Sequence, residues 1–179
     1  MKKVFALMMS LAVLFVFAAC GGGSGSSAAS AASDAPAVIT PEDGEANGKV
    51  GDTIELYWYD LIVRSATEVD SYAGYEPAEG NKLIDVVIYF ESVFSDVSPM
   101  SNAEYSIHWG RGASQGTSSL DALDDTMMPS YWEIEPDEKI EYHLVFEVPA
   151  DKDGFSLEFE ASFESTPDEV TYFFVDLGL

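Results

Sequence analysis

Hydrophobic and polar residues alternate with a period of two along most of the chain after residue 49. One run places five apolar side chains on the same side: Ile140, Tyr142, Leu144, Phe146 and Val148. A second run does so with Phe155, Leu157, Phe159, Ala161 and Phe163. A strand with one face on a core and one in water has this period. The runs therefore predict two half-buried strands that either pair or face each other across two sheets, with a turn at residues 149–154 between them.

A third run, Lys82–Phe90, is partly apolar on both faces and predicts a central strand. Further strands are predicted at Thr53–Val63, Ala103–Trp109, Ser130–Ile134 and Thr171–Leu177. Helical periodicity is missing from every window of ten or more residues, although Thr166–Glu169 has the residue order of a short helix start. About seven strands in about 130 residues predict an all-β, immunoglobulin-like antiparallel β-sandwich over residues 49–179.

The N-terminal segment has a different pattern. Two lysines precede Val4–Ala19, which is apolar at all but one of its 16 positions and ends in small residues just before Cys20. A membrane-spanning helix needs about 20 apolar residues, whereas a short basic start, an apolar stretch and a small-residue end are typical of a signal peptide. Residues 1–19 are therefore predicted to be a cleaved signal peptide.

The end of this signal, Phe17-Ala18-Ala19-Cys20, resembles the bacterial lipoprotein signal, in which the cysteine is acylated. The resemblance implies lipidation of Cys20, with the lipid bilayer as a partner and a location on the extracytoplasmic face of a bacterial cell membrane. Residues 20–48, rich in Gly, Ser and Ala, are predicted to form a flexible linker. About 28 residues of such chain reach roughly 30 Å.

Charge and cysteine content exclude other classes. The formal net charge is −24, and without Lys2 and Lys3 it becomes 6 − 32 = −26. Nucleic acid binding requires cations that neutralise phosphates, so we expect no nucleic acid partner. A single cysteine excludes a disulfide framework, and the core must be held by apolar packing.

Several short stretches, taken in order, resemble a family of bacterial extracellular lipoprotein domains, domain of unknown function 4352, with an immunoglobulin-like (telokin-like) sandwich. The stretches are Val50–Ile54, Pro77–Gly80 leading into Lys82–Phe90, Ile134–Glu138 and Phe146–Pro149. Glu91-Ser92 and Asp137 depart from the residues usual in the family. The resemblance implies the fold and the location, but it implies no activity.

Catalysis has one candidate motif. Gly112-Ala113-Ser114-Gln115-Gly116 matches the G-x-S-x-G pattern of serine hydrolases, and His143 lies downstream. That motif requires a strand-to-helix turn in an α/β sheet, which this pattern does not predict. We therefore expect no enzyme and no catalytic residue, and a serine hydrolase stays as an alternative that needs Ser114 and His143 within hydrogen-bond reach.

Calcium binding has one candidate motif. Asp151-Lys152-Asp153-Gly154 resembles the start of a calcium loop, but Ser162 stands where the twelfth-position Glu is needed. We expect no metal and no cofactor, and interpret the other acidic clusters as solvated surface: Asp121-Asp124-Asp125 and Glu133-Glu135-Asp137-Glu138.

Tyrosine and tryptophan residues are numerous. The candidates for binding are Tyr57, Trp58, Tyr59, Tyr72, Tyr75, Trp109, Tyr131 and Trp132. Because Tyr57 and Trp58 are adjacent, one is expected to face inward. The sequence predicts a membrane-anchored lipoprotein whose acidic domain binds an unknown extracellular protein or glycan. A carbohydrate-binding module with coplanar exposed aromatic rings is the alternative.

Overall fold

The structure is a computed structural model that describes residues 35–39, 44–110, 115–163 and 166–179. Within these ranges the chain forms one 3₁₀ turn, Asn102–Glu104, and twelve strands. The strands are β1 (Val38–Ile39), β2 (Glu45–Lys49), β3 (Thr53–Glu55), β4 (Tyr59–Val69), β5 (Asn81–Ser92), β6 (Ser98–Met100), β7 (Ser106–Trp109), β8 (Gly116–Ser118), β9 (Trp132–Ile134), β10 (Lys139–Pro149), β11 (Phe155–Phe163) and β12 (Thr166–Asp176).

The strands form two five-stranded sheets and one small pair. Sheet A has the order β1-β3-β4-β5-β10, sheet B has the order β2-β12-β11-β7-β8, and β6 pairs with β9. The inner faces of both sheets contribute to one buried core, in which Phe90 of sheet A contacts Tyr105, and Tyr105 contacts Phe159 of sheet B. The predicted all-β sandwich is therefore confirmed.

Alternation correctly predicted the faces of the long strands. Val86 and Ile88 on β5 are fully buried, as are Phe146 on β10 and Leu157 on β11. Burying such a side chain contributes about 1.5–3 kcal/mol, which explains why the apolar positions determine the inner face. β5 lies between β4 and β10, so the predicted central strand is confirmed. β10 and β11 lie in different sheets, and both contribute buried side chains to the shared core.

Other details differ from the expectations. The predicted strand Thr53–Val63 is interrupted at residues 56–58, where the chain turns back to form β4 beside β3. Residues Thr166–Glu169 begin β12, so the predicted helical turn is wrong. The sandwich is not wholly antiparallel, since β1 runs parallel to β3 and β2 runs parallel to β12.

The segment before residue 49 contributes to the sheets, although the sequence placed residues 20–48 in the linker. β1 and β2 use mainly backbone hydrogen bonds, which need no apolar alternation. The buried carboxylate of Asp52 joins them, because its Oδ1 accepts from the Ala37 amide at 2.8 Å and its Oδ2 accepts from the Lys49 amide at 3.0 Å. Residues Ala35–Leu179 form one compact unit.

Residues 1–19 and Cys20 lie outside the described residues, so the predicted signal peptide and lipidation site stay predictions. Across the part of the chain that the structure describes, we find no helix that combines the length and the apolar character needed to cross a bilayer.

The outer face of sheet A carries a second apolar cluster. Leu83 and Val145 point outward and are fully buried beneath Met127. Met127 belongs to residues 119–128, which we call the sheet A cover. The cover follows the edge of β10, with the Leu120 amide donating to the Val145 carbonyl at 2.7 Å. Two apolar residues on an outer face need such a cover, because otherwise they would be exposed to water.

Candidate functional site

Aromatic and aliphatic side chains gather at one end of the sandwich, in the turn between β3 and β4 and in the segment after β5. We call this group the end patch; it consists of Tyr57, Trp58, Val93 and Phe94. The Trp58 ring lies 4.6 Å from the Tyr57 ring and 4.4 Å from the Phe94 ring, between centroids. The Val93 amide donates to the Trp58 carbonyl at 3.2 Å, which joins the two segments.

The end patch faces solvent. Trp58 is 41% exposed and Val93 is 50% exposed. The expectation that Tyr57 or Trp58 faces the core is wrong, because both lie in a turn and neither belongs to the buried core of the described residues. Their rings meet at 82°, and those of Trp58 and Phe94 at 75°. These three rings therefore do not form the coplanar platform expected for stacking on sugars.

Carboxylates border the end patch on the outer face of sheet A. Glu55 lies directly opposite Asp60, and Asp60 lies directly opposite Glu91 on the third strand. Lys139 is ion-paired with Glu91 at 2.6 Å, and this contact lowers the pKa of Glu91. Like charges opposite each other across strands are destabilising, and the ion pair with Lys139 offsets part of that repulsion at Glu91.

A second candidate site lies on the outer face of sheet B. We call it the sheet B hollow, a shallow concavity of about 450 Å³. Its polar lining comes from alternate positions of β7 and β11, and aromatic residues of β12 form another part of the lining. The residues concerned are Ser106, His108, Glu158, Glu160, Tyr172 and Phe174. The period-two pattern brings these side chains to one face, because alternate residues of a strand point the same way.

Three side chains of the sheet B hollow lie in contact one after another. Ser106 Oγ lies 3.0 Å from His108 Nε2, and His108 Nδ1 lies 3.3 Å from Glu158 Oε2. The other oxygen of Glu158 accepts from Ser156 Oγ at 3.0 Å. A hydroxyl, an imidazole and a carboxylate are thus in contact through both nitrogens of one ring.

Gly116 on β8 explains the position of the His108 ring. A Cβ at Gly116 would lie 2.7 Å from both Cδ2 and Nε2 of His108. That is closer than real Cβ atoms come to other heavy atoms. Only glycine therefore lets the imidazole lie against the neighbouring strand.

The alternative catalytic pair considered in the sequence, Ser114 and His143, is not tested by the structure. Ser114 lies outside the described residues. His143 lies on β10, where Nδ1 is 2.8 Å from Asp85 Oδ1 and the ring contacts the Tyr72 ring at 5.7 Å. The pairing of Ser106 with His108 was not predicted, although their spacing of two on one strand indicated a shared face.

The acidic clusters have local structural partners. Asp124 Oδ1 accepts from the Thr126 hydroxyl at 2.7 Å, and this bond is the main cause that lowers the pKa of Asp124. Glu138 Oε2 accepts from the Glu135 amide at 2.8 Å, and Asp151 pairs with Lys152 at 3.2 Å. In the described ranges no group of three or more His, Cys, Asp or Glu side chains is arranged to hold a metal ion.

Comparison with known proteins gives a fold class. No family model matches the chain, and no curated protein matches it. Among solved structures, the chain is similar to a candidate lipoprotein, ycdA, from Bacillus subtilis, with a TM-score of 0.53 and 14% identity. That match covers 71% of this chain and 39% of the other, so this chain spans well under half of that protein.

A second similar structure is the yjhA protein from Bacillus subtilis, with a TM-score of 0.52 and 10% identity. This match covers 72% of the present chain and 99% of that one. Likenesses at such low identity show a shared fold alone. The chain therefore belongs, by structure, among β-sandwich domains.

Proposed function

We propose that this protein is a bacterial lipoprotein, anchored to the membrane by acylated Cys20, whose extracytoplasmic sandwich binds a partner protein through the end patch. The N-terminal signal pattern supports the anchor, and the shared fold with a candidate lipoprotein agrees with it. Membership of the family of domain of unknown function 4352 is part of the same proposal and rests on the short sequence stretches alone.

The single observation that carries the binding role is the aromatic cluster in which the exposed ring of Trp58 packs between the half-buried rings of Tyr57 and Phe94. Tryptophan and tyrosine are enriched among residues that dominate binding energy, since they bury a large area with few rotatable bonds. The edge-to-face packing of the rings holds them in place before a partner arrives. Less side-chain entropy is then lost on binding.

Charge indicates the chemistry of the partner. The row Glu55, Asp60 and Glu91 borders the patch, and the whole chain carries −24. A second copy of the chain would be repelled, and so would an anionic bilayer surface. The occupant that fits is a protein segment with apolar side chains flanked by Lys or Arg.

The anchor is tested by a Cys20→Ser variant expressed in a bacterium. We expect the wild type in the membrane fraction and the variant in the soluble extracytoplasmic fraction, because acyl chains are needed for stable anchoring. Equal membrane partitioning of both proteins would contradict the anchor.

The end patch is tested with a defined peptide of alternating Arg and Leu and with its Arg-to-Glu counterpart. Using the Cys20→Ser chain without residues 1–19, we expect binding of the Arg peptide only, weakening with salt. Trp58→Ala should raise Kd at least about tenfold, equivalent to about 1.4 kcal/mol. Tyr131→Ala, at a 63% exposed residue outside the patch, is the matched control and should bind like the wild type. Equal losses in both variants, or tight binding of the Glu peptide, would rule out the end patch as the binding surface.

A further inference from the structure

Ser106, His108 and Glu158 use the atoms that an activated nucleophile requires. In such an arrangement Nε2 of the imidazole accepts the hydroxyl proton, while a carboxylate on Nδ1 fixes the tautomer and orientation of the ring. Here the Ser106 hydroxyl contacts Nε2 at 3.0 Å and the Glu158 carboxylate contacts Nδ1 at 3.3 Å. From this geometry we infer that Ser106 is a reactive nucleophile that becomes acylated by activated esters. The activity goes beyond the proposed binding function.

The imidazole and the carboxylate are both positioned by further contacts. Glu158 is held through its second oxygen by Ser156. His108 is placed against the backbone of β8, which the absence of a side chain at Gly116 permits. The contacting groups lie on three adjacent strands, β8, β7 and β11. Rigid elements such as strands keep this geometry better than loops do.

Reagents can reach the nucleophile from two sides. Ser106 and His108 line the sheet B hollow, and both also line a smaller concavity of about 280 Å³ with Gly116, Thr117 and Ser118. His143 on sheet A is comparably exposed, at 30% of its side chain against 23% for His108, but among the described residues no hydroxyl is hydrogen-bonded to its ring.

The reaction balances without a further reagent. Ser106 Oγ attacks the ester carbonyl carbon as its proton moves to His108 Nε2. The bond to the leaving oxygen then breaks, and His108 returns the proton to that oxygen. The product is an ester of Ser106 and the free alcohol. Water, deprotonated by the same imidazole, later releases the acid and restores the hydroxyl.

The surroundings set the substrate class and the rate. The backbone of β7 is paired on both sides, with β11 and β8, so its amide groups are engaged in the sheet rather than aimed at a developing oxyanion. Glu104 and Glu160 also line the hollow and disfavour negative charge there. The substrates are therefore small esters that carry no negative charge and have a good leaving group. Their turnover is slow.

The test uses an uncharged fluorophosphonate ester on the Cys20→Ser chain without residues 1–19. Attack by Ser106 forms the O–P bond and releases fluoride. One attack per molecule gives a stable label, so no hydrolytic turnover is needed. We expect one label per molecule, located on Ser106 by peptide mass spectrometry. Ser106→Ala should reduce labelling to background, and His108→Gln should slow it about 100-fold, the size of a lost general base.

Ser95→Ala is the control, because Ser95 is an exposed serine that lines neither concavity. It should label at the wild-type rate. A further variant, Gly116→Ala, displaces the His108 ring while keeping Ser106, and should slow labelling at an unchanged circular dichroism spectrum. Labelling of the wild type no faster than Ser106→Ala, or a label located on another residue, would overturn the inference.

Discussion

The two outer faces of the sandwich each carry one histidine, and the comparison separates a structural from a reactive environment. On sheet A, His143 Nδ1 contacts the Asp85 carboxylate at 2.8 Å. On sheet B, His108 Nδ1 contacts the Glu158 carboxylate at 3.3 Å. The two imidazole–carboxylate pairs are alike in composition, yet their surroundings differ. His143 lies beside the sheet A cover, whereas His108 opens on a hollow and holds a hydroxyl on its other nitrogen.

In the ranges that the structure describes, only the outer face of sheet A has a covering segment, and the apolar content of the two faces explains this difference. Sheet A presents Leu83 and Val145 outward, and the chain buries them beneath Met127. The outer face of sheet B instead carries Ser106, Glu158 and Glu160 in its middle strands. These polar groups require no cover. The His143 side chain is nevertheless 30% exposed, against 23% for His108, so the two pairs differ in the Ser106 hydroxyl on His108 Nε2 and not in exposure.

The largest expected effect comes from removing the anchor of the sheet A cover. Met127→Ala deletes a side chain that is 2% exposed and should lower the free energy of unfolding by about 2–5 kcal/mol. Urea unfolding measures this loss. Leu123→Ala, in the same segment but 40% exposed, is the control and should change stability by less than about 0.5 kcal/mol. If the two variants were equally stable, the cover would not be held by apolar burial.

A smaller effect is expected from the histidine pairs themselves. A double-mutant cycle on His143→Gln and Asp85→Asn should give a coupling energy of roughly 0.5–1 kcal/mol, the range for partly exposed ion pairs. The same cycle on His108→Gln and Glu158→Gln should give less, because that contact is longer. Urea unfolding of the single and double variants provides the values. A stronger coupling on sheet B would reverse the comparison.

The smallest expected effect is a loss of stability of the sheet A cover at acidic pH. The Thr126 hydroxyl bond lowers the pKa of Asp124, so the folded cover favours the ionised carboxylate. The resulting stabilisation is present above the unfolded pKa of about 3.9 and is lost as pH falls through the lower folded pKa. Hydrogen exchange of the Met127 amide should therefore quicken below about pH 4 relative to amides of β7. In Thr126→Val the Asp124 pKa, followed by NMR, should rise; an unchanged value would exclude the hydroxyl bond as its cause.

Alternation predicted the long strands because burial of one face leaves a direct record in the sequence. β10 and β11 were predicted almost to the residue for this reason. β2 could not be predicted, since Asn47 and Gly48 show no apolar pattern and the strand is held by backbone pairing with β12. The turn at residues 56–58 was missed because its aromatic residues have high strand propensity.

The candidate sites depend on information that the sequence does not contain. Ser106 and His108 share a face by spacing alone, but the approach of Glu158 depends on the register between β7 and β11. Likewise Phe94 joins Trp58 only because two separate turns end at the same edge of the sandwich. The sequence shows that aromatic residues are abundant, but only the folded structure shows which of them are in contact.

The Asp52 carboxylate, which joins β1 and β2, has a mechanical consequence for a chain that is anchored as we propose. A pull on the chain ahead of Ala35 enters the sandwich at β1, whose pairing with β3 is parallel. A pull directed along β1 would load its hydrogen bonds to β3 together, in shear. Asp52 adds a bond to Ala37 at that point and a bond to Lys49 beyond it. Its carboxylate thus distributes tension over two sheets before either begins to peel.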